Sequence, residues 1–295
     1  MRVLVTGAGG QLGRALIAAR PEDVVLRSET HDGLDIADAA AVDGVLREFA
    51  PELVMNAAAF TRVDEAERAP EAAARANSAG PAELAAACRR SGAWLTHVST
   101  DYVFDGAQSR PYGTDTPPKP LNVYGRSKLA GETAVLRELP ERATVVRASW
   151  LYSAGGGFAG RMLALMPTQA HLSIVSDQVG APTSAAGLAR ILWALSRRRA
   201  GGLWHWCDSG VASWYDFAVA IAAEAAALGL LAAEPVIAPI ASADYPTAAA
   251  RPPYSLLDKR ATERLLGITA PHWRSALRET LAQARRGARL PGCAP

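Results

Sequence analysis

Tyr124 and Lys128 stand four residues apart in Tyr124-Gly125-Arg126-Ser127-Lys128. On a helix that spacing puts both side chains on one face. A phenol titrates near pH ~10 and is a poor acid or base at neutrality. A neighbouring ammonium and a positively charged nicotinamide both favour the phenolate and are expected to bring the phenol's pKa down toward the working range. That is the chemistry of carbonyl reduction: a proton reaches the carbonyl oxygen while hydride reaches the carbon. A Tyr–Lys pair of this kind is also common on helix surfaces, so its weight depends on companions. Val98-Ser99-Thr100-Asp101-Tyr102 offers hydroxyls, and Asn56-Ala57-Ala58-Ala59 offers small side chains against which a cofactor can lie.

Gly7, Gly10 and Gly13 are spaced G-x-x-G-x-x-G directly after the apolar run Arg2–Thr6. A strand that turns into a helix leaves free N–H groups and a positive dipole end, a natural seat for a pyrophosphate. The first glycine permits the sharp turn, the second lets backbone approach the phosphates, and the third lets helix and strand pack closely. A glycine-rich connector without a ligand is the plainer alternative. The residue closing the second strand then sets cofactor choice, an acid favouring the free ribose and an arginine a 2′-phosphate. Arg27 takes that place in the run Val24–Leu26 and its flank, so NADPH is expected as cofactor, with NADH also accepted; a solvated surface arginine is the bland alternative. Asp35 is a candidate partner for the adenine amine, while Asp35 or Asp38 can equally cap the following helix.

The elements that must position these groups alternate along the chain. Strands are expected at Arg2–Thr6, Val24–Leu26, Leu53–Met55, Trp94–Val98 and Ala143–Arg147. Helices are expected at Arg14–Arg20, Asp38–Phe49, Pro70–Arg90 (interrupted near Gly80-Pro81) and Val123–Glu138. This rhythm predicts an α/β fold, a doubly wound parallel sheet of the Rossmann-like kind, with a smaller C-terminal α/β region for substrate. Residues 1–150 would form the dinucleotide-binding domain. Residues 151–295 would be mainly substrate-binding, with some elements returning to the first sheet. Gly155-Gly156-Gly157 and the Pro-rich segment 235–253 read as loops. Ligands of such sheets sit beyond the carboxyl ends of the strands, which draws Thr100, the Ala57–Ala59 turn and the glycine turn to one rim.

The 295 residues are 49% apolar and 20% charged, enough for a sizeable core and against a disordered class. Thirty-one basic against 29 acidic residues leave a net charge of +2, without the basic face that nucleic acid requires. Cys88, Cys207 and Cys293 are scattered and imply no disulfide framework. No leader pattern opens the chain, and the apolar stretch Phe217–Ala233 is broken by Glu224, so a cytoplasmic protein without a membrane span is expected. His205 reads as part of an inner strand, and no metal-ligand spacing is evident. Trp214, Tyr215 and Phe217 suggest a helix start behind Ser213, with core packing as their use.

Taken together, Thr6-Gly7-x-x-Gly10-x-x-Gly13, Asn56-Ala57-Ala58, Ser99/Thr100 and Tyr124-x-x-x-Lys128 resemble the extended short-chain dehydrogenase/reductase superfamily. Within it the chain is most similar to the family of dTDP-4-dehydrorhamnose reductases. That narrower likeness rests on Ser99-Thr100-Asp101-Tyr102-Val103-Phe104, on Ser149-Trp150-Leu151-Tyr152 and on Asp177-Gln178-Val179-Gly180-Ala181-Pro182-Thr183. The resemblance implies reduction of the 4-keto group of dTDP-4-dehydro-L-rhamnose to dTDP-L-rhamnose by NADPH or NADH. It implies that Tyr124 gives its proton to the nascent alkoxide, that Lys128 lowers the phenol's pKa and holds the nicotinamide ribose, and that Thr100 bonds the substrate oxygen. Gly7, Gly10, Gln11, Leu12 and Gly13 would meet the pyrophosphate, and Arg27, Asp35, Ile36, Ala57, Ala58, Ala59 and Thr61 the rest of the cofactor. Asp101, Trp150, Gln178 and Arg251 would face the nucleotide-sugar. Two departures stand out: Tyr254 where the family usually has Asn, and Ala15 where some relatives carry a glutamate for a magnesium-bridged dimer. Monomer and homodimer therefore both stay open. The rival readings are a sugar-nucleotide epimerase or dehydratase, and a non-catalytic nucleotide-binding regulatory subunit. Tyr102 rather than Glu after Asp101 speaks against a dehydratase, and the intact Tyr–Lys pair against a silent subunit.

Overall fold

The computed structural model describes residues 1–288. The first half alternates strictly: β1 (Arg2–Thr6), α1 (Gln11–Ala18), β2 (Val25–Glu29), α2 (Ala39–Phe49) and β3 (Leu53–Asn56). Next come α3 (Val63–Arg68), α4 (Pro70–Ala74), a π-helical turn at Arg75–Ala79 and α5 (Gly80–Ser91). They are followed by β4 (Trp94–Thr100), a 3₁₀ turn at Asp101–Val103, α6 (Val123–Glu138) and β5 (Ala143–Ala148). The later half adds β6 (Leu151–Tyr152), α7 (Gly157–Leu165), β7 (His171–Val175), β8 (Val179–Gly180), β9 (Thr183–Ser184), α8 (Ala185–Arg197) and β10 (Gly202–Trp206). It ends with β11 (Ala212–Ser213), α9 (Trp214–Ala227), β12 (Val236–Ile240), α10 (Arg260–Leu266) and α11 (Trp273–Ala288).

Six parallel strands form the central sheet in the order β10-β5-β4-β3-β1-β2. Their near-continuous apolar runs suit strands covered on both faces. Val3, Val5 and Met55 pack under α1 and α8, while Leu4, Val54 and Leu95 pack under α2, α5 and α6. The chain runs from β1 outward to β2, then returns across β1 to β3. The crevice at the carboxyl ends of β1 and β3 is thus the topological switch point where such sheets take ligands. β10 comes from the later half and closes the sheet beside β5. A third cluster, with Met162, Phe217, Ile221, Leu277 and Leu281 at its centre, unites α7, α9 and α11.

α6 is fixed to the sheet by charge as well as by apolar packing. Glu132 receives Arg147 Nε at 2.9 Å and a second guanidinium nitrogen, with both side chains almost wholly buried. Arg147 also lies over the Phe104 ring, 5.1 Å from its centre.

Three elements differ from the sequence expectation. β2 runs to Glu29, three residues beyond Leu26, because backbone pairing to β1 carries a polar edge strand past its apolar stretch. The Pro-rich segment contains β12, which pairs in parallel with β7; Pro239 is tolerated there because both belong to a two-stranded ribbon. α1 runs from Gln11 to Ala18 rather than from Arg14 to Arg20, whereas the interruption expected near Gly80-Pro81 is the π turn at Arg75–Ala79 directly ahead of them. Cys88 and Cys207 are buried free thiols that burial pushes up to about 12 and about 11; Cys293 lies outside the described residues. Among the described residues no helix is long and apolar enough to cross a membrane.

Candidate active site

The glycine turn is built by close approach. Gly7 has φ +70°, and a Cβ on it would lie 2.5 Å from the Ala58 nitrogen. A Cβ on Gly13 would lie 2.2 Å from the Gly7 carbonyl oxygen. Only glycine lets β1, α1 and the Ala57–Ala58 turn meet so tightly. Gly10 is the N-cap of α1 and brings no side chain to its first-turn N–H groups, so they face the crevice as anion donors. A cleft of about 520 Å³ opens beside the turn, with Gly7, Gly10, Asp35, Ile36 and Ala57–Ala59 in its wall. A pyrophosphate fits the cradle and an adenosine fits this cleft.

The structure gathers Gly7, Gly10, Asp35, Ile36 and Ala57–Ala59 on this cleft, packs Gly13 beneath it against Gly7, and leaves four of the expected residues elsewhere or in other roles. Leu12 is buried in the core, so only its backbone faces the turn. Gln11 Oε1 accepts from Ser153 Oγ at 3.1 Å and supports the Gly156-Gly157 loop. Thr61 is exposed and outside the cleft wall. Arg27 is the main correction. Because β2 ends at Glu29, Arg27 sits mid-strand opposite Leu4 and bonds Glu29 and Glu48 at 2.7 and 2.9 Å. The arginines that do line this cleft are Arg62 and Arg75, with the His31 imidazole beside them. Asp38, not Asp35, caps α2. Asp35 receives the Ala37 N–H at 3.0 Å and Arg75 at 2.7 Å, which hold its carboxyl below the usual range.

Asn77 went unnoticed in the sequence. The π turn aims its buried amide at the Ala57–Thr61 turn, where it receives Phe60 N–H at 2.8 Å and donates to Phe60 O at 2.9 Å. The same Nδ2 donates to Ser127 Oγ at 3.0 Å and so ties the cofactor turn to α6. π turns of this kind concentrate at functional sites. Asn77→Ala takes two hydrogen bonds from the half-buried Phe60 backbone and should cost about 1 kcal/mol of stability. It should also weaken NADPH binding; urea unfolding and a fluorescence titration read the two effects.

Tyr124 lies in the first turn of α6. Asn122 caps that helix by accepting Gly125 N–H at 2.7 Å, and Glu67 accepts Val123 N–H at 2.7 Å. Gly125 is required because a Cβ there would lie 2.2 Å from the Tyr102 carbonyl oxygen. The helix start is thereby pressed onto the turn that follows β4. Tyr124 then meets Tyr102 edge to face at 5.6 Å and its hydroxyl lies against Thr100. Thr100 Oγ1 in turn donates to Asp101 Oδ1 at 3.1 Å.

The Lys128 ammonium donates to the Val98 carbonyl at 2.7 Å, at the end of β4. The expected lowering of the phenol by Lys128 is therefore not what the protein groups produce. Burial pushes Tyr124 up to about 12, the Thr100 hydroxyl opposes this, and Asp101 adds to it. Burial pulls Lys128 down to about 8, against Glu132, which raises it. Burial raises Asp101 to about 6, against hydrogen bonds from Ser255 and Thr100. Behind this group, Asn56 Oδ1 accepts from Thr6 Oγ1 and Ala58 N–H at 2.8 and 3.0 Å, and its Nδ2 donates to His97 Nδ1 at 3.0 Å. That network joins β1, β3 and β4 under the turn.

The residues expected to face substrate lie where the two halves meet. Trp150, at φ +46°, stacks on Trp214 with ring centres 3.5 Å apart and planes 4° from parallel. Trp214 Nε1 donates to Gln178 Oε1 at 3.2 Å, and Gln178 Nε2 donates to Ser242 Oγ at 2.9 Å. A cleft of about 480 Å³ adjoins them, walled by Tyr102, Phe158, Arg161, Gln178, Trp214, Tyr245 and Arg251. Arg251 is held by Asp64 at 2.6 Å, which offsets part of its charge. Tyr254, the residue that departs from the family pattern, instead tilts over Tyr112. Trp214 and Arg161 were missed because each reaches this cleft only through tertiary packing; the glycine run before α7 was the one sequence signal near Arg161.

Comparison with known proteins agrees with this layout. The family model for the RmlD substrate binding domain matches residues 1–286. A protein of Streptomyces griseus named dTDP-4-dehydrorhamnose reductase is 41% identical, over 99% of this chain and 97% of its own length. One of Streptomyces niveus named dTDP-4-keto-6-deoxy-D-glucose reductase is also 41% identical, over 94% and 95%. The crystal structure of dTDP-4-dehydrorhamnose reductase from Bacillus anthracis in complex with NADP superposes with a TM-score of 0.89 at 35% identity, covering 96% of this chain and 99% of that one. Sheet order, nucleotide cradle and end-to-end similarity together make this chain a member of the RmlD substrate binding domain family.

Proposed function

We propose that this chain reduces the 4-keto group of dTDP-4-dehydro-L-rhamnose to the alcohol of dTDP-L-rhamnose, using NADPH and accepting NADH. The observation that carries the reading is the Tyr124 phenol beside Thr100 at the open end of β4, with Lys128 on the same helix face bonded to Val98 O, next to the cradle of Gly7 and Gly13. Residues 1–150 would hold the dinucleotide, chiefly through Gly7, Gly10, the α1 N-terminus, Asp35, Ile36 and Ala57–Ala59. The later half would hold the nucleotide-sugar through Trp150, Gln178 and Arg251 with Asp101. Buried free thiols and a reduced cofactor suit the cytoplasm.

A reduced nicotinamide bound there supplies the hydride. Tyr124 carries its proton at neutral pH, because burial holds its pKa near 12. A nascent alkoxide is far more basic than a phenol, so transfer from Tyr124 Oη to the sugar oxygen runs downhill. Lys128, one turn along the same helix face and mostly charged at neutrality, rests on Val98 O before reaction and would serve the phenolate only once it forms. Thr100 orients the oxygen that receives the proton. The two protonation limits are Asp101 and Lys128. Asp101 loses its charge as pH falls through about 6, and Lys128 loses its charge as pH rises through about 8. kcat/KM should therefore be bell-shaped with limbs near those values, as a pH series of initial rates will read.

Purified protein mixed with NADPH and the keto-sugar should oxidise one NADPH per sugar reduced. Redox-neutral conversion would favour an epimerase or dehydratase, and binding without conversion a regulatory subunit. dTDP-4-keto-6-deoxy-D-glucose belongs in the same assay, since the Streptomyces niveus relative carries that name at equal identity.

A further inference from the structure

On the sheet face that α5 and α6 cover, the carboxyl ends of the strands carry polar side chains in register. Thr6 of β1 pairs with Asn56 of β3, Asn56 with His97 of β4, Ser99 with Arg147 of β5, and Arg147 with His205 of β10. Alternation along the strands keeps this row on the side of Leu4, Val54, Leu95 and Val145, which pack under those helices. The row fixes the proton on His97. Asn56 Oδ1 already accepts from Thr6 Oγ1 and Ala58 N–H at 2.8 and 3.0 Å, so the amide cannot turn round. Its Nδ2 therefore donates to His97 Nδ1 at 3.0 Å, and the ring, which burial keeps neutral, carries its hydrogen on Nε2. That N–H is buried, as is the Ser99 hydroxyl two residues along the same face, and neither has a protein partner among the described residues. Buried polar groups are paired in folded proteins, so both call for a partner of another kind. Lys128 of α6 comes to the same place. Its ammonium, 2% exposed, donates at 2.7 Å to the carbonyl of Val98, the residue between His97 and Ser99.

We propose that His97 and Ser99 hold an internal water beneath Lys128, and that His97 acts through it as a positioning residue for the ammonium. This rests on the reductase reading, in which Lys128 serves the phenolate. Residues two apart on a strand face are separated by about 6.8 Å, a gap that one water closes with two hydrogen bonds. The water accepts the His97 Nε2–H and one of the two N–H groups that Lys128 does not give to Val98, and it donates to Ser99 Oγ. Three partners is the usual complement of a buried water. An oxygen that accepts from the ammonium favours its charged form and holds it in place. The other charged or titratable groups on this face and its helices are Tyr124 and Glu132 of α6, Arg147 of β5, His205 of β10 and Cys88 of α5. Glu132 and Arg147 are bound to each other as an ion pair. Burial pushes Tyr124 and Cys88 up to about 12 and pulls His205 down to about 3. Lys128, which burial brings down to about 8, is then the group here that changes charge in the mildly alkaline range.

The test uses the full chain as wild type, His97→Asn, His97→Gln and Ser99→Ala. Asparagine reaches only the Nδ1 position, so it keeps the bond to Asn56 and loses the inner donor. Glutamine reaches the Nε2 position and keeps a donor to the water. The chain has three lysines, Lys119, Lys128 and Lys259, so NMR of protein labelled with carbon-13 at the lysine ε position can titrate Lys128 alone. Its signal is identified by its loss in Lys128→Arg. In His97→Asn the Lys128 midpoint should fall by about one pH unit, because the ammonium loses an acceptor. Ser99→Ala should lower it by less, and His97→Gln should leave it in place. Nitrogen-15 spectra of the wild type should show His97 as a neutral Nε2–H ring throughout. A crystal structure of the wild type should place an ordered water within hydrogen-bond distance of His97 Nε2 and Ser99 Oγ. The alkaline limb of kcat should fall together with the Lys128 midpoint. An Nδ1–H ring, a crystal structure without that water, or an unmoved midpoint in His97→Asn overturns the proposal. So does a fall in His97→Gln as large as in His97→Asn, which would leave the ring only its bond to Asn56. The NMR readout needs no turnover. A wild type that ignores the keto-sugar would thus sink the reductase reading, while the Lys128 midpoint still decides the water site.

Discussion

Tyr124→Phe should lower kcat by about 10²–10⁴-fold while leaving NADPH affinity and folding unchanged. The variant removes one oxygen and no volume, and the ring keeps its edge-to-face place on Tyr102. What disappears is the only protonated group within the Thr100–Tyr124–Lys128 cluster poised to meet a developing alkoxide. Thr100 is already engaged with Asp101, and the Lys128 ammonium is engaged with Val98 O. In barrier terms the loss is about 3–5 kcal/mol. The ratio of single-turnover rates between wild type and variant gives it directly, and a loss in NADPH affinity of similar size would point to a structural role instead.

Glu132→Ala should be the most damaging single change for stability. It strands the Arg147 guanidinium, 3% exposed, between α6 and β5. Removing one partner of a buried ion pair costs about 3–5 kcal/mol, because the survivor keeps its desolvation cost without its counter-charge. A fall in Tm on the order of 10 °C is expected. The double replacement Glu132→Met with Arg147→Met should recover most of it, since an apolar pair of similar volume removes both charges. The change also reaches the site. Glu132 supports the Lys128 charge, so any surviving Glu132→Ala enzyme should lose activity at a lower alkaline pH than wild type.

The parts of this site that could be read in the sequence are those where sterics leave no alternative. Gly7 and Gly13 declare the cradle because any Cβ would strike backbone. The Tyr124–Lys128 spacing declares a shared helix face, and the apolar runs of β1, β3, β4 and β5 declare a doubly covered sheet. Arg27 shows where that reading stops. The end of β2 is set by backbone pairing to β1, which its polar residues do not advertise, so the closing position moved to Glu29. Asn77 hides in an alanine-rich helix whose single π turn leaves the apolar periodicity almost intact. Trp214 was legible as a helix start behind its Ser213 cap, and the cap is there. Its stack on Trp150 depends on how α9 packs against the loop after β5, and no local pattern encodes that.

The most direct test follows the hydride. NADPH carrying deuterium on the transferred position of C4 of the nicotinamide is mixed with wild-type protein and dTDP-4-dehydro-L-rhamnose, and the product is examined by mass and NMR. A phenol and an ammonium beside a nucleotide cradle predict one deuterium, bound to C4 of the sugar, for each NADPH consumed. Product without the label, or label washed into solvent, would contradict direct reduction at this site.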